Sequence, residues 1–215
     1  GRNRAVTPGK VVFRNRLIEL IQYAPATGTV RPEPVLIVPA WIMKYYILDL
    51  RPPNSLVKFL VDRGHTVFMV SWKNPGPEDR DLAMEDYRTL GAMAALDAVS
   101  AIVPGARVHG VGYCLGGTLL GAVLAVMKAR GDERIHSATF FTTMLDFSEP
   151  GDLGLFIDNT SIDGIEQLIT EAGGVMPGEA MRDAFNLLRP EDLIWRYVED
   201  RYLLGNEAKP FDLLY

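Results

Sequence analysis

A single glycine-flanked cysteine constrains this chain more than any other feature. The stretch VHGVGYCLGGTLLGAV, residues 108–123, runs apolar up to Cys114 and then turns glycine-rich before becoming apolar again. Within it, Gly112-Tyr113-Cys114-Leu115-Gly116 has the spacing of a nucleophile elbow, G-x-S-x-G, with Cys in place of Ser. A strand that turns abruptly into a helix brings the residues two before and two after the apex close together, and a Cβ at either place would clash. The pattern predicts Cys114 in a strained conformation at the carboxyl end of a strand, with its sulfur at a helix N-terminus. Unpaired N–H groups and the positive end of the helix dipole favour a thiolate there. The Leu115 N–H is the expected first donor of an oxyanion hole. The second is expected from the loop after the neighbouring strand, VPAWIMKYY, and the Ile42 N–H is the choice within it. The bland alternative is an inert buried thiol, with Trp41 sealing the core and Lys44 on the surface.

The surroundings of the cysteine supply the strand and the helix that an elbow needs. VLIVPAWI (35–42), TVFMVSW (66–72), ARVHGVGYC (106–114) and SATFFTTM (137–144) are rich in β-branched or aromatic residues and read as strands. Their near-continuous apolarity fits central parallel strands covered on both faces. Helical patterns lie between them. NSLVKFLVDRG starts at the capping-competent Asn54 and stops at Gly64, and residues 79–102 place Tyr87, Leu90, Ala94 and Ala98 on one stripe. A third helix runs from about Leu115 to Ala129, with Gly131 as its stop. This alternation implies an α/β sheet with right-handed crossovers. The opening KVVFRNRLIELIQY fits either a β-hairpin at the sheet edge or a lead-in containing a helix, with strands favoured. After Asp146 the texture changes to a turn-rich connection and three short helical patterns separated by GGVMPG and LRPED. The expected division is an α/β core over 1–145 and a helical cap or lid segment over 146–215; an ordinary helical end to the domain is the alternative.

Composition narrows the function classes. Apolar residues make up 48% of the 215, which argues for a folded globular chain, and a net charge of −5 gives no support to nucleic-acid binding. One cysteine excludes an internal disulfide and favours a reducing compartment. Neither a signal peptide nor a membrane span is expected. A thiol nucleophile wants a base, and the chain holds only His65, His109 and His136. Each lies before or near the start of a predicted strand, whereas sites of open α/β sheets lie at the carboxyl ends. At about 3.3 Å per residue, His109 is on the order of 16 Å from Cys114. All three are therefore read as structural or surface histidines. Asp146 ends the strand after the elbow and is a candidate acid, or more simply a turn cap for DFSEPG. Four strands with no return to a strand afterwards leave the sheet lopsided, so the chain is expected to be a truncated one.

The chain resembles the catalytic domain of polyhydroxyalkanoate synthases of the class I, polyhydroxybutyrate-forming type. The resemblance rests on TPGKVVFRNRLIELIQY, on EPVLIVPAWIMKYYILDLRPPNSLVKFLVDRGHTVFMVSWKNP, on GYCLGGTLL and on TTMLDFSEPGDLGLFID, with LLRPEDLIWRYVEDRYLLG a weaker match. The cysteine box together with WIMKYYILDL is what makes it specific. The resemblance implies an α/β-hydrolase-like, mostly parallel sheet, incomplete here, with a helical cap segment. It implies an acyltransferase that polymerises (R)-3-hydroxyacyl-coenzyme A, in particular 3-hydroxybutyryl-coenzyme A, into polyester with release of coenzyme A. Cys114 matches the nucleophile, and Ile42 and Leu115 match the oxyanion backbone positions. The catalytic Asp and His have no counterpart in the chain and are expected beyond Tyr215. No metal and no cofactor are implied; coenzyme A enters as the thioester substrate. The implied partners are hydroxyacyl-coenzyme A, the growing polyester, a second copy in a homodimer and the surface of a polyester granule in the cytoplasm. Where the family commonly reads PPWINK, this chain reads PAWIMK, and Met43 removes a polar side chain near the oxyanion loop. The same elbow would also serve a cysteine-dependent esterase or thioesterase, and the chain alone fits a non-catalytic interaction fragment.

Overall fold

Side chains alternate along each strand, so successive residues of a central strand enter two different buried clusters. The computed structural model describes residues 5–151, 154, 157–188 and 195–206. Its strands are β1 (Gly9–Arg14), β2 (Ile18–Tyr23), β3 (Val35–Val38), β4 (Val67–Trp72), β5 (Val108–Tyr113) and β6 (Ile135–Phe141). They form one sheet in the order β1-β2-β4-β3-β5-β6. β4, β3, β5 and β6 run parallel, and the β1–β2 hairpin joins antiparallel through β2 against β4. The opening segment is thus strands, as favoured from its sequence.

In β3, Leu36 and Val38 face one cluster while Val35 and Ile37 face the other; in β4, Phe68, Val70 and Trp72 face the first while Val67 and Met69 face the second. Both faces of these strands are covered, which is why their sequences read apolar without a break. The helix α1 (Leu56–Val61) contributes Val57 and Val61 to the second cluster. On the first lie α3 (Ala94–Ile102), with Ala95, Leu96 and Val99, and α4 (Leu115–Arg130), with Leu119, Val123 and Met127. β6 departs from the expectation. It ends the sheet order, and Phe140 and Phe141 are exposed, so it is not a central strand covered on both faces.

Two helix details also differ from the sequence reading. The cap of α1 is Ser55, whose hydroxyl accepts from the Lys58 N–H at 2.8 Å; Asn54 belongs to a preceding 3-10 turn, Pro52–Asn54. Gly64 does terminate the helix, with φ of +79°. The expected 79–102 helix begins as α2 (Met84–Asp86), passes through a π-helical stretch Tyr87–Met93, and continues as α3. A π turn holds an extra residue, so it rotates the buried face. Ala92, Ala95, Leu96 and Val99 carry that face, and Tyr87, Leu90 and Ala98 pack at its margin. The predicted stripe through Ala94 is displaced accordingly.

Contacts divide the chain into two compact units, Gly1–Asn74 with Leu82–Leu145, and Pro75–Asp81 with Asp146–Tyr215. The first holds the whole sheet. In the second, α5 (Asn159–Glu171) starts where Asp158 accepts from the Ser161 N–H at 3.0 Å and ends at Gly173 and Gly174, both with positive φ. α6 (Gly178–Leu188) and α7 (Arg196–Val198), the latter running into a π-helical Glu199–Leu203, follow it among the described residues. Part of the LRPED connection lies outside the described residues.

Candidate active site

Cys114 follows the last residue of β5 and caps α4, with φ of +55° and ψ of −126°. A side chain in that conformation costs on the order of 1–3 kcal/mol and persists only where the surroundings enforce it. Four contacts do so. The Cys114 N–H donates to the Phe141 carbonyl at 2.9 Å, and the Cys114 carbonyl accepts from the N–H groups of Gly117 at 2.9 Å and Thr118 at 3.2 Å. The Thr118 hydroxyl in turn donates to the Met144 carbonyl at 2.8 Å. The end of β6 and the segment after it therefore brace the elbow from one side.

The glycines make room for backbone, in a different arrangement from the expected one. A Cβ on Gly112 would meet the Cα of Gly117, three residues beyond the cysteine, whereas the Gly116 carbonyl stands off at 3.4 Å. A Cβ on Gly116 would meet the carbonyl oxygens of Val38 and Pro39, where β3 ends. Gly117 is flanked by the Thr143 side chain. The elbow thus needs three glycines: Gly112 and Gly117 pack on each other, and Gly116 admits the neighbouring strand's exit. The doublet Gly116-Gly117 was the sequence signal for the third.

That exit carries the second expected oxyanion residue. Residues 40–43 form a turn closed by the Met43 N–H on the Ala40 carbonyl at 3.2 Å. The Met43 N–H is thereby occupied, while the N–H groups of Ile42 and Leu115 find no acceptor among the described residues. β3 and β5 are hydrogen-bonded neighbours, with Val38 opposite Gly112, so the 40–43 turn and Cys114 emerge at the same carboxyl edge. Chain connections leave that edge on opposite sides, because β3 passes through α1 to β4 while β5 passes through α4 to β6. A sheet opens a crevice at such a reversal. Cys114 is partly exposed there. Burial raises the pKa of the adjacent Tyr113 phenol, the Cys114 charge adds to it, and a hydrogen bond with the Thr142 side chain opposes the shift.

The histidines lie at the other edge. His109 pairs with Val35 and Ser137 at the amino ends of the parallel strands, and its Nδ1 is 2.7 Å from the Ser137 hydroxyl. The His109 and His136 rings are 5.9 Å apart, and the charges of Arg31 and His109 reach His65. None of the three is on the Cys114 side of the sheet. Asp146 accepts from the Ser148 N–H at 2.9 Å, a turn cap whose hydrogen bonds to Ser148 hold the carboxyl below its ordinary range.

Comparison with known proteins places these features in a lineage. Residues 1–60 match the poly-beta-hydroxybutyrate polymerase (PhaC) N-terminus, and residues 33–169 match the alpha/beta hydrolase fold. A poly(3-hydroxyalkanoate) polymerase of Methylorubrum extorquens is 50% identical over the whole chain, which spans 35% of that relative. The polymerase subunit of Rhizobium meliloti is 46% identical with the same coverage, and that of Cupriavidus necator is 42% identical, with 37% of it spanned. The chain thus spans little more than a third of these three relatives. Among solved structures, a mutant of the esterase rPPE shares the fold at 18% identity and a TM-score of 0.50, over 71% of this chain and 48% of that one. With its nucleophile-type elbow, its parallel strands and these relatives, the chain belongs to the alpha/beta hydrolase fold family, and its curated relatives there are poly(3-hydroxyalkanoate) polymerases.

Proposed function

We propose that this chain is the nucleophile-bearing core of an acyltransferase that builds polyester from (R)-3-hydroxyacyl-coenzyme A, in particular 3-hydroxybutyryl-coenzyme A. The observation that carries the reading is Cys114 held at positive φ on a strand-to-helix elbow, beside a turn and a helix terminus with free N–H groups. The Cys114 thiolate attacks the thioester carbonyl, the Ile42 and Leu115 N–H groups receive the oxyanion, and coenzyme A leaves as its thiolate. One thioester replaces another, so the acyl enzyme retains the driving force for ester formation. A hydroxyl of the growing polyester then attacks the acyl group and frees the thiol. That hydroxyl needs a base, and the three histidines lie at the opposite edge of the sheet. The base is therefore supplied from outside these 215 residues, the acid with it as the family resemblance implies, and acyl transfer belongs to a whole polymerase working as a cytoplasmic homodimer on polyester granules.

The test is release of coenzyme A from (R)-3-hydroxybutyryl-coenzyme A with polymer measured alongside. The 215-residue chain is expected to give at most a stoichiometric release dependent on Cys114, and a polymerase-length protein carrying it a sustained one. Cys114→Ala abolishes both with the circular dichroism spectrum unchanged. Turnover by Cys114→Ala refutes the assignment, and free hydroxy acid in place of polymer identifies a thioesterase.

A further inference from the structure

β4 ends on Trp72, a largely buried residue whose indole Nε1–H donates to the Pro39 carbonyl at 2.7 Å. That same carbonyl is one of the atoms that a Cβ on Gly116 would meet. The Pro39–Ala40 peptide is thus gripped between the indole and the first turn of α4, and Ala40, which opens the 40–43 turn, is fully buried. The turn's Trp41 meets the Trp72 ring edge-on, with centroids 6.4 Å apart and planes at 81°. Tyr87 packs on both, at 5.1 Å from Trp41 and 5.4 Å from Trp72. The helix makes room for this cluster. Tyr87 and Gly91 both belong to the π-helical stretch, and a Cβ on Gly91 would meet Cη2 and Cζ3 of the indole. π turns inside α-helices are recurrent at functional sites.

We propose that Trp72 is a positioning residue for the oxyanion hole: its indole N–H fixes the Pro39–Ala40 peptide and with it the course of the turn that presents the Ile42 N–H. The inference rests on the reading of Cys114 and Ile42 given above. A buried indole needs an acceptor wherever it lies, so the test must separate positioning from mere satisfaction of the N–H. Two reactions of the same thiol do this. Acylation by (R)-3-hydroxybutyryl-coenzyme A forms the Cys114 S–C bond, breaks the bond to the coenzyme A sulfur and passes through an oxyanion. Alkylation by iodoacetamide displaces iodide at a tetrahedral carbon and forms none.

Single-turnover rates of both are measured for the protein, for Trp72→Phe, and for a protein with 3-benzothienylalanine at position 72, which puts sulfur where the indole has N–H at nearly unchanged shape. Loss of one oxyanion donor slows acyl transfer by about 10²–10³-fold, so a donor left in place but loosened should slow acylation by roughly 10–100-fold, with alkylation within about twofold of the parent. Unchanged acylation in the benzothienylalanine protein overturns the proposal, as does an equal loss in both reactions, which would mark a purely structural indole. Acylation that persists in Cys114→Ala would instead overturn the site reading itself.

Discussion

His65 shows how a residue can be legible in its place and illegible in its state. Its position just before β4 marks it as remote from the thiol, and the structure leaves it near His109 and Arg31. What no sequence pattern shows is that its Nδ1 is buried without a hydrogen-bond partner among the described residues. Burial first, then the charges of Arg31 and His109, lower its pKa. The unfolded chain therefore takes up this proton at higher pH than the folded one. The neutral form's contribution is complete above the ordinary histidine value of about 6.5, declines as the pH falls below it, and levels off below the folded pKa. Urea midpoints measured between about pH 8 and pH 5 should fall less steeply for His65→Gln than for the parent; identical slopes would contradict the assignment. Asp49 is an acidic residue in the otherwise apolar and aromatic run YYILDL. It is fully buried, accepting from the Thr7 N–H at 3.1 Å and from the hydroxyls of Thr7 and Ser55, both at 2.6 Å. Its partners lie on either side of it in the chain, and only the folded backbone brings them together.

Elements were more legible than residues where one signal dominated. The strand, turn and helix around Cys114 follow from apolar runs interrupted by glycine, and Gly131 ends α4 in a left-handed conformation as its position after the helix implied. Reading failed where tertiary packing outranked local pattern. A regular helical period through Ala94 could not foresee a π turn, within which Gly91 lies against the Trp72 ring. Nor could it assign Gly112 its true neighbour, since the tight contact is with Gly117. That contact gives an order of severity for substitutions. In Gly112→Ala the new methyl meets the Gly117 backbone, whereas in Gly117→Ala it meets the Thr143 side chain, whose Oγ1 and Cγ2 can rotate aside while its Cβ must shift slightly. Denaturant unfolding should show losses of about 2–4 kcal/mol for the first and about 1–2 kcal/mol for the second. Equal losses would mean that the elbow is not held by this backbone contact.

At the scale of the whole molecule, the two units differ in how much apolar surface their described residues bury. The sheet unit contains every residue of both buried clusters. In the proposed cap segment, α5 has no buried residue and exposes Ile162, Ile165 and Leu168 at helical spacing. Few buried contacts mean low local opening free energies. Amide hydrogen exchange of α5 should accordingly run faster than that of β4 and β5 by orders of magnitude, and equal protection would show one cooperative core. The change of texture at Asp146 was visible in the sequence, but the membership of Pro75–Asp81 in the second unit was not, because it joins residues distant along the chain. The strand order carries a consequence for how the molecule comes into being. β3 and β5 lie side by side, yet β4 and several helical segments separate them in the chain, and each bears one half of the proposed oxyanion arrangement at its end. Such a pairing closes a long loop before it gains any contact, which makes it a slow step. As the chain is synthesised, the turn that presents Ile42 is complete well before Cys114 exists, and it waits for a partner. On the function proposed for Cys114, a half-folded chain would carry a bare thiol without its oxyanion donors, and acyl reactivity would be born with the late long-range pairing of the sheet.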